Sequence, residues 1–419
     1  MATQRISQVA SHLDPRTWSG KGLASAQLQN DSDVVIVAST RTPYCKAFKG
    51  GLKDTPFDIL CFETFKAILA QSDIDPTIIQ DVVVGNVRNV DNHYDIRAAA
   101  LAAGIKYTTP TYVVNRFCAS GLMAIRSVAN QIQAGEIECG LALGIESMSN
   151  HPKRVFQFSE EISAANQDAA DCIQPMGWTS ENVSKDFHIT RQEMDQFAHQ
   201  SHVKAARARK EGAFKDEISP IRAQVKNSDG SVGYRVIQDD DGIRENTTPE
   251  SLAKIRPAFP DWEPAATTGG NASQITDGGA AVLLMRRSLA RKLNKKILGK
   301  YVACSVVGLQ PRIMGIGPSL AIPAVLELTG IKQEEVDLFE INEAFSSMGV
   351  YCQKKLGISD EKLNPRGGAV ALGHPLGSTG ARLVVTALSQ LAQRKQKVAV
   401  TSMCIGLGHA AAAVFIRED

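Results

Sequence analysis

An internal repeat constrains the fold of this chain more than any other feature of its sequence. The segment 81–86 (Asp-Val-Val-Val-Gly-Asn) resembles the segment 337–342 (Asp-Leu-Phe-Glu-Ile-Asn), at an offset of 256 residues. Thirty-two residues after each asparagine, a reactive side chain, Cys118 or His374, precedes a glycine-containing helix start. The repeat predicts two related halves around a pseudo-two-fold axis, which would bring these two helix starts together.

Apolar runs alternate with long helical stretches in both halves, an order typical of α/β proteins with partly parallel sheets. The stretch between the halves repeats nothing and is charged and turn-rich, so we expect it to lie over the core and to carry ligand contacts. We therefore predict four parts: an arm and linker (1–32), an N-terminal half (33–150, completed by about 277–296), a loop domain (151–276) and a C-terminal half (297–419).

Charge and cysteine usage exclude several classes of function. The 46 basic and 44 acidic residues give no general field for binding nucleic acid. No run of about 18 apolar residues occurs, so we expect no membrane insertion. The eight cysteines form no CxxC pair, which favours free thiols in a reducing compartment. No third ligand accompanies the pair His199 and His202, so no metal site is predicted.

Two residues at the repeated helix starts suit nucleophilic catalysis. Cys118 precedes a helix whose unpaired N–H groups and dipole favour the thiolate, although most cysteines are simply buried. His374 lies in Gly-His-Pro-Leu-Gly and titrates near neutrality, as a base for a thiol does, although a capping or core histidine is the alternative. The repeat favours the catalytic reading because it predicts that the two side chains meet.

Three further residues suit supporting chemistry. Cys404 directly follows a buried-type strand and is able to exchange a carbon-bound proton, or else is a core cysteine. The glycines after it, including Gly406, let backbone N–H groups point into a cavity, as an oxyanion hole requires. Asn342, which opens Asn-Glu-Ala-Phe, either donates to a carbonyl oxygen or is a strand-end turn residue.

The ordered motifs around these residues resemble the thiolase family from about residue 33 to 419. The resemblance implies two βαβαβαββ halves in a five-layer αβαβα sandwich, with an inserted loop domain and at least a homodimer. It implies an acyltransferase that uses coenzyme A and acyl-CoA as substrates and needs no cofactor. Carried over, Cys118 is the nucleophile, His374 its base, and Cys404 the second acid and base.

The resemblance also implies two oxyanion sites, one at His374 with a water held by Asn342, and one at the N–H groups of Cys118 and Gly406. Ser273 would bind the pantetheine of CoA, and its tunnel would be lined by Met176, Met314, Ala344 and Phe345. The chain departs from the family pattern at Phe117, Ala119 and Leu407. The large side chains of Phe117 and Leu407 would lie near the acyl site, so they put the acyl-chain preference in question more than they put the reaction chemistry in question.

The N-terminal arm carries an amphipathic pattern in which Arg5, Ile6, His12 and Leu13 resemble a type-2 peroxisomal targeting signal read by an import receptor. A mitochondrial presequence and an accidental tail are the alternatives. The arm favours degradative 3-ketoacyl-CoA cleavage in fatty-acid β-oxidation over biosynthetic acetoacetyl-CoA condensation. Cys404 argues against a decarboxylating ketoacyl synthase, and the presence of all three reactive residues argues against a non-catalytic carrier.

Overall fold

A computed structural model describes residues 21–89, 92–151 and 157–418 of the chain. Within these ranges the chain forms twelve strands: Val34–Arg41 (β1), Cys45–Lys46 (β2), Asp81–Gly85 (β3), Thr111–Val114 (β4), Cys139–Glu146 (β5), Ile221–Lys226 (β6), Val232–Ile237 (β7), Thr276–Arg286 (β8), Gly299–Gly308 (β9), Leu338–Ile341 (β10), Val398–Ile405 (β11) and His409–Ile416 (β12).

The same ranges contain α-helices of very different lengths: Leu23–Ala26 (α1), Phe57–Ser72 (α2), Asn92–Ala102 (α3), Ser120–Ala134 (α4), Glu160–Ala165 (α5), Gln167–Asp171 (α6), Met176–Asp186 (α7), Arg191–Lys210 (α8), Pro249–Ala253 (α9), Arg287–Lys292 (α10), Pro318–Thr329 (α11), Ser346–Leu356 (α12), Ala369–Leu372 (α13) and Leu376–Gln393 (α14). Short 3₁₀ turns cover Pro76–Ile78, Pro311–Ile316 and Gln333–Glu335.

Ten of the twelve strands form two half-sheets of matching order that meet at one edge, and β6 and β7 form a separate two-stranded sheet. The N-terminal half orders its strands β4-β3-β5-β8-β1, and the C-terminal half orders its strands β10-β11-β12-β9. In both halves the outer strands are parallel and the inner ones antiparallel. Strands β1 and β9 join the sheets through only two residue pairs. The predicted repeat is therefore present in the topology.

Helices cover both sheets and separate them, which confirms the predicted five-layer α/β class. α4 and α14 lie between the sheets, and their apolar faces share one core with both. α2 packs on the outer face of the N-terminal sheet and α11 on the outer face of the C-terminal sheet. Because α4 and α14 are covered on both sides, most of their residues are apolar or small.

One strand of the C-terminal half is shorter than the resemblance implies. A single bridge between Phe339 and Leu363 stands where the N-terminal half has β4 beside β3. The adjacent residue, Asn364, has a positive φ of 42° and bonds both backbone groups of Ile341 through its side-chain amide, at 2.8 Å each. A side chain thus replaces part of the strand ladder at this edge.

The first turns of α4 and α14 touch at two glycines. Gly121 lies three residues after Cys118, and Gly377 lies three residues after His374. A Cβ atom on Gly121 would be 2.8 Å from the carbonyl oxygen of Gly377 and 2.7 Å from the backbone nitrogen of Ala381. Such a close approach is possible only without side chains. It places the two reactive residues at adjoining helix starts.

A buried network of charges fixes the loop region to both halves. Arg41 of β1 donates to both carboxylate oxygens of Asp240 at 2.7 Å and to Glu217 at 2.9 Å. Arg366 of the C-terminal half donates to the other oxygen of Glu217 at 2.9 Å. Arg41 and Glu217 are almost completely shielded from solvent. Buried charges of this kind are tolerated only when they are paired.

Candidate active site

Cys118 lies at the junction of an extended segment and α4. Its side chain is buried, and burial raises the pKa of the thiol to about 11. The backbone N–H groups of Gly406 and of Cys118 itself face the sulfur and oppose that rise. The same two N–H groups are those that the resemblance implies for an oxyanion site, and the structure directs both of them to the reactive sulfur.

The backbone beside these N–H groups is strained on both sides. Phe117 has a φ of 45° and Leu407 a φ of 67°, values that side chains other than glycine rarely adopt. A Cβ on Gly406 would lie 3.6 Å from the ring of Phe117 and 3.7 Å from the sulfur of Met176. Strain of this kind is found mainly at functional sites. Two of the three departures from the family pattern, Phe117 and Leu407, therefore flank these N–H groups directly.

Hydrogen bonds fix the tautomer of His374. Its Nδ1 lies 2.6 Å from the hydroxyl oxygen of Thr379, and that hydroxyl donates to the carbonyl of Pro375 at 3.1 Å. Since the hydroxyl hydrogen is used, Nδ1 carries the proton and donates to Thr379. Nε2 is then unprotonated and faces the side-chain nitrogen of Asn342 at 3.4 Å.

The imidazole of His374 is held neutral. Burial, together with the nearby positive charge of Arg382, lowers its pKa to about 3. Arg382 itself is buried and pairs with Glu340 at 3.2 Å. A neutral imidazole with a free Nε2 is able to accept a proton from a thiol.

Cys404 and Asn342 complete the site at the ends of two neighbouring parallel strands. The sulfur of Cys404 lies 3.7 Å from that of Met348, and burial and the nearby Cys118 raise the pKa of its thiol well above the usual value. Asn342 donates its backbone N–H to Ser402 at 2.9 Å. Its side-chain oxygen is buried and bonds no group in the described part of the chain, so it is available to a substrate or water donor.

Three of the residues expected to hold CoA pack around Cys404, and the other two lie beside Ala344 and Gly406. The backbone N–H of Ser273 donates to the carbonyl of Ala344 at 3.0 Å, which sets this segment beside Phe345. The side chains that pack together around the second cysteine are Met314, Ala344, Met348 and Phe345. Met176 is 37% exposed and lies at the beginning of α7 next to Gly406.

The structure thus gathers ten of the predicted site residues at one place: Cys118, Met176, Ser273, Met314, Asn342, Ala344, Phe345, His374, Cys404 and Gly406. The targeting residues Arg5, Ile6, His12 and Leu13 lie outside the described residues. Across the described ranges, no group of three or more His, Cys, Asp or Glu residues is arranged for a metal ion. In the same ranges, no helix is long and apolar enough to cross a bilayer.

Sequence reasoning assigned no role to Thr379 or to Glu146. Thr379 has the sequence context of any small residue in a buried helix, and only its contact with His374 distinguishes it. Glu146 closes an apolar strand and is fully buried. An ionisable residue at the end of such a strand is the one signal that would have marked it in advance.

The fold and these side chains define a thiolase-type site, and the chain belongs to the thiolase family. The family model described as "Thiolase, N-terminal domain" matches residues 34–288, and that described as "Thiolase, C-terminal domain" matches residues 295–417.

Full-length relatives include peroxisomal 3-ketoacyl-CoA thiolases. "3-ketoacyl-CoA thiolase B, peroxisomal" of Candida tropicalis is 46% identical over 417 residues, which cover 99% of this chain and 100% of that protein. "3-ketoacyl-CoA thiolase, peroxisomal" of Saccharomyces cerevisiae is 47% identical over 428 residues, with 99% and 100% covered.

Solved structures of this family match the fold. The dimeric peroxisomal thiolase of Saccharomyces cerevisiae matches with a TM-score of 0.87 and 47% identity, over 94% of this chain and 100% of that one. Human mitochondrial 3-ketoacyl-CoA thiolase in complex with CoA matches with a TM-score of 0.82 and 33% identity, over 92% and 98%.

Proposed function

We propose that this protein is a degradative 3-ketoacyl-CoA thiolase that cleaves 3-ketoacyl-CoA with coenzyme A, as the last step of fatty-acid β-oxidation. The products are acetyl-CoA and an acyl-CoA shortened by two carbons. The observation that carries the proposal is that the helix starts after Cys118 and His374 touch, and that Cys404 lies close enough to Cys118 to interact with it. The full-length similarity to peroxisomal 3-ketoacyl-CoA thiolases supports the direction and substrate class.

In the first half-reaction, Nε2 of His374 takes the proton of Cys118, and the sulfur attacks the 3-keto carbon. The carbon–carbon bond next to it breaks, leaving the shortened acyl group on Cys118 and an acetyl-CoA enolate. Cys404 donates its proton to the enolate carbon and becomes a thiolate. Because burial raises the pKa of both thiols, each cysteine is protonated at rest, as this sequence requires.

In the second half-reaction, the thiolate of Cys404 takes the proton of an incoming CoA thiol. The CoA sulfur then attacks the acyl carbon on Cys118. Cys118 leaves as a thiolate and recovers its proton from His374. Protons and bonds therefore balance over one turnover, and no redox or metal cofactor enters the steps that these residues perform.

Negative charge forms on two different oxygens and needs two sets of donors. We assign the tetrahedral centre on Cys118 to the N–H groups of Cys118 and Gly406, which already face its sulfur. We assign the enolate oxygen to His374 and to a water held by Asn342. Loss of one such donor typically costs on the order of 10²–10³ in rate.

We assign CoA itself to the surface around Ser273. Its segment lies against Ala344 and Phe345, and the sulfur-rich cluster beneath them leads to Cys404. Flexible methionine side chains suit a tunnel for the pantetheine arm. The substrate set is therefore CoA and acyl-CoA, with no separate cofactor.

We propose that the protein forms a homodimer through the edge of the N-terminal sheet. β4 pairs with β3 on one side only, so its other edge has unpaired backbone groups. Exposed aromatic side chains lie beside it, with Tyr94 79% and Tyr107 82% exposed. The Saccharomyces cerevisiae structure of this family is described as dimeric. Tyr112→Arg on β4 should convert a dimer to a monomer in sedimentation velocity.

We place the protein in the peroxisome, with Arg5, Ile6, His12 and Leu13 read by an import receptor. The named location of the full-length relatives supports this assignment. Deleting residues 1–20 should leave thiolysis intact and move a fluorescently tagged protein to the cytosol. The deletion must be expressed without a full-length copy, since a dimer would carry the shortened chain in. Continued import under that condition, or delivery to mitochondria by the intact arm, would contradict the assignment.

The function is tested by CoA-dependent thiolysis of acetoacetyl-CoA and of a long-chain 3-ketoacyl-CoA, side by side. Turnover of the long substrate is expected, and Cys118→Ala should abolish it while the protein stays folded. Turnover of acetoacetyl-CoA alone would favour the biosynthetic reaction. A folded, reduced protein that turns over neither substrate would refute the proposal.

A further inference from the structure

Glu146 is a buried carboxylate at the active site that the proposed reaction does not use. It is the last residue of β5 and is 0% exposed. One oxygen accepts the backbone N–H groups of Gly377 at 2.7 Å and Val87 at 3.1 Å. The other accepts the backbone N–H of Arg88 at 3.0 Å and the side-chain amide of Asn86 at 3.4 Å. One side chain therefore ties a loop of its own half to the opposite half.

Its contact in the opposite half is the beginning of the His374 helix, α14. Pro375 precedes this helix and offers no side-chain cap. The N–H groups of Ser378 and Thr379 bond to the carbonyl of Pro375, but that of Gly377 has no acceptor within its own helix. Glu146 supplies that acceptor and places a negative charge at the positive end of the helix dipole.

The position of this helix start decides where the catalytic imidazole lies. His374 is three residues before Gly377, and Thr379, which orients its Nδ1, is two residues after. The carbonyl of Gly377 faces Gly121 of the Cys118 helix at contact distance. A bond that fixes Gly377 therefore fixes the base relative to the nucleophile.

The charge of Glu146 also acts on the nucleophile. It raises the pKa of the Cys118 thiol, in addition to the larger effect of burial. The other titratable or charged groups at this point are His374, Cys404, Arg88, which faces Glu146, and Arg382, which faces His374. Burial raises the pKa of Glu146 itself to about 7, against the effect of its N–H donors.

We propose that Glu146 is a positioning residue of the thiolase reaction: it caps the His374 helix from the opposite half and so holds the base beside the nucleophile. The same carboxylate has a second role, because it places a negative charge near Cys118. The kinetic consequence rests on the proposed function, whereas the effect on the thiol does not depend on any substrate.

Two variants separate the roles. Glu146→Gln removes the charge at nearly constant shape, and Glu146→Asp keeps the charge but shortens the reach by one methylene. Asp337→Asn is the matched control, because Asp337 accepts two backbone N–H groups, of Lys397 and Val398, at 2.9 Å at the far end of β10.

Three measurements are made on each full-length variant: thermal unfolding, kcat and KM for thiolysis, and the pH dependence of Cys118 alkylation by iodoacetamide. Alkylation of a Cys118→Ala protein is subtracted, since Cys172 is the least buried of the other thiols. For Glu146→Gln we expect the pH midpoint of alkylation to fall and kcat to drop at least about tenfold with KM little changed. For Glu146→Asp we expect a drop in kcat with the midpoint near that of the unmodified protein.

A purely structural role predicts something different. Glu146→Gln would then lose thermal stability while the alkylation midpoint stayed in place and kcat fell no more than in Asp337→Asn, and this result would overturn the proposal. If Glu146→Gln fails to fold, an unchanged kcat in Glu146→Asp overturns the positioning role. Absence of thiolysis in the unmodified protein would refute the proposed function, while the alkylation comparison would still decide the effect of Glu146 on Cys118.

Discussion

Replacing Gly121 by alanine tests whether the contact between the two central helices sets the catalytic geometry. The new Cβ would lie 2.7 Å from the backbone nitrogen of Ala381 and 2.8 Å from the carbonyl oxygen of Gly377. Ordinary contact begins at 3.4 Å, so the shortfall is about 0.7 Å. Both obstructing atoms belong to the backbone of α14 and are unable to rotate away. The two helices must therefore separate.

This separation should lower both stability and activity. Overpacking of this size in a filled core costs about 1–3 kcal/mol of unfolding free energy. A displacement approaching 1 Å between reacting groups costs up to about 10²-fold in rate. Because Cys118 and His374 lie on opposite sides of the contact, we expect kcat for thiolysis to fall about 10- to 100-fold. Steady-state thiolysis and thermal unfolding of the purified variant measure both effects.

Gly308→Ala is the matched control. Its Cβ would meet nothing closer than 4.0 Å, and it changes the same residue type at the end of β9. We expect it to leave kcat unchanged. If Gly121→Ala keeps the kcat and the stability of the unmodified protein, the helix contact does not position the catalytic pair and the reasoning is wrong.

Three other substitutions have defined outcomes. Thr379→Val removes the acceptor of His374 Nδ1–H and should lower kcat about tenfold or more, with Thr379→Ser close to normal in the same assay. Folded His374 stays neutral down to about pH 3, whereas the unfolded chain gains its proton near 6.5, so acid lowers the free energy of unfolding in this window. His374→Asn should reduce the loss of unfolding free energy between pH 6.5 and 5 by about 1.6 kcal/mol in denaturant titrations. A loss equal to that of the unmodified protein would contradict the assignment. Arg41→Ala leaves Glu217 and Asp240 without their buried partner and should cost about 3–5 kcal/mol in the same titrations at pH 7, where a loss under 1 would refute the network.

Much of the fold is readable from the sequence because two signals agree. The apolar periodicity predicts the individual strands and helices, and the repeat predicts how the two halves are related. Strands such as β3, β5, β11 and β12 are built on apolar runs, the pattern from which we predicted alternating strands and helices. The shortening of one strand in the C-terminal half was not readable. Part of its ladder is replaced by the side chain of Asn364, a tertiary contact that produces no periodic pattern in the sequence.

The candidate site divides in the same way. Cys118 and His374 are marked by the repeat, since equivalent positions in two halves approach one axis. Thr379 and Glu146 act through contacts between elements far apart in the chain, with Glu146 and Gly377 separated by 231 residues. The left-handed backbone at Phe117 and Leu407 was also hidden, because neither residue type signals a positive φ. Sequence patterns therefore identify the reactive residues better than they identify the residues that position them.

The contact between Gly121 and Gly377 has a consequence for the origin of the enzyme. These two glycines are equivalent under the 256-residue repeat, so the place where they touch lies on the pseudo-two-fold axis. In an ancestor made of two identical half-length chains, this would have been a residue touching its own copy, and every mutation nearby would have occurred on both sides at once. Two identical chains of this kind would carry the same reactive residue at both helix starts. Once such a gene is duplicated and fused, the two sides have separate codons, and only then is one free to become a cysteine and the other a histidine.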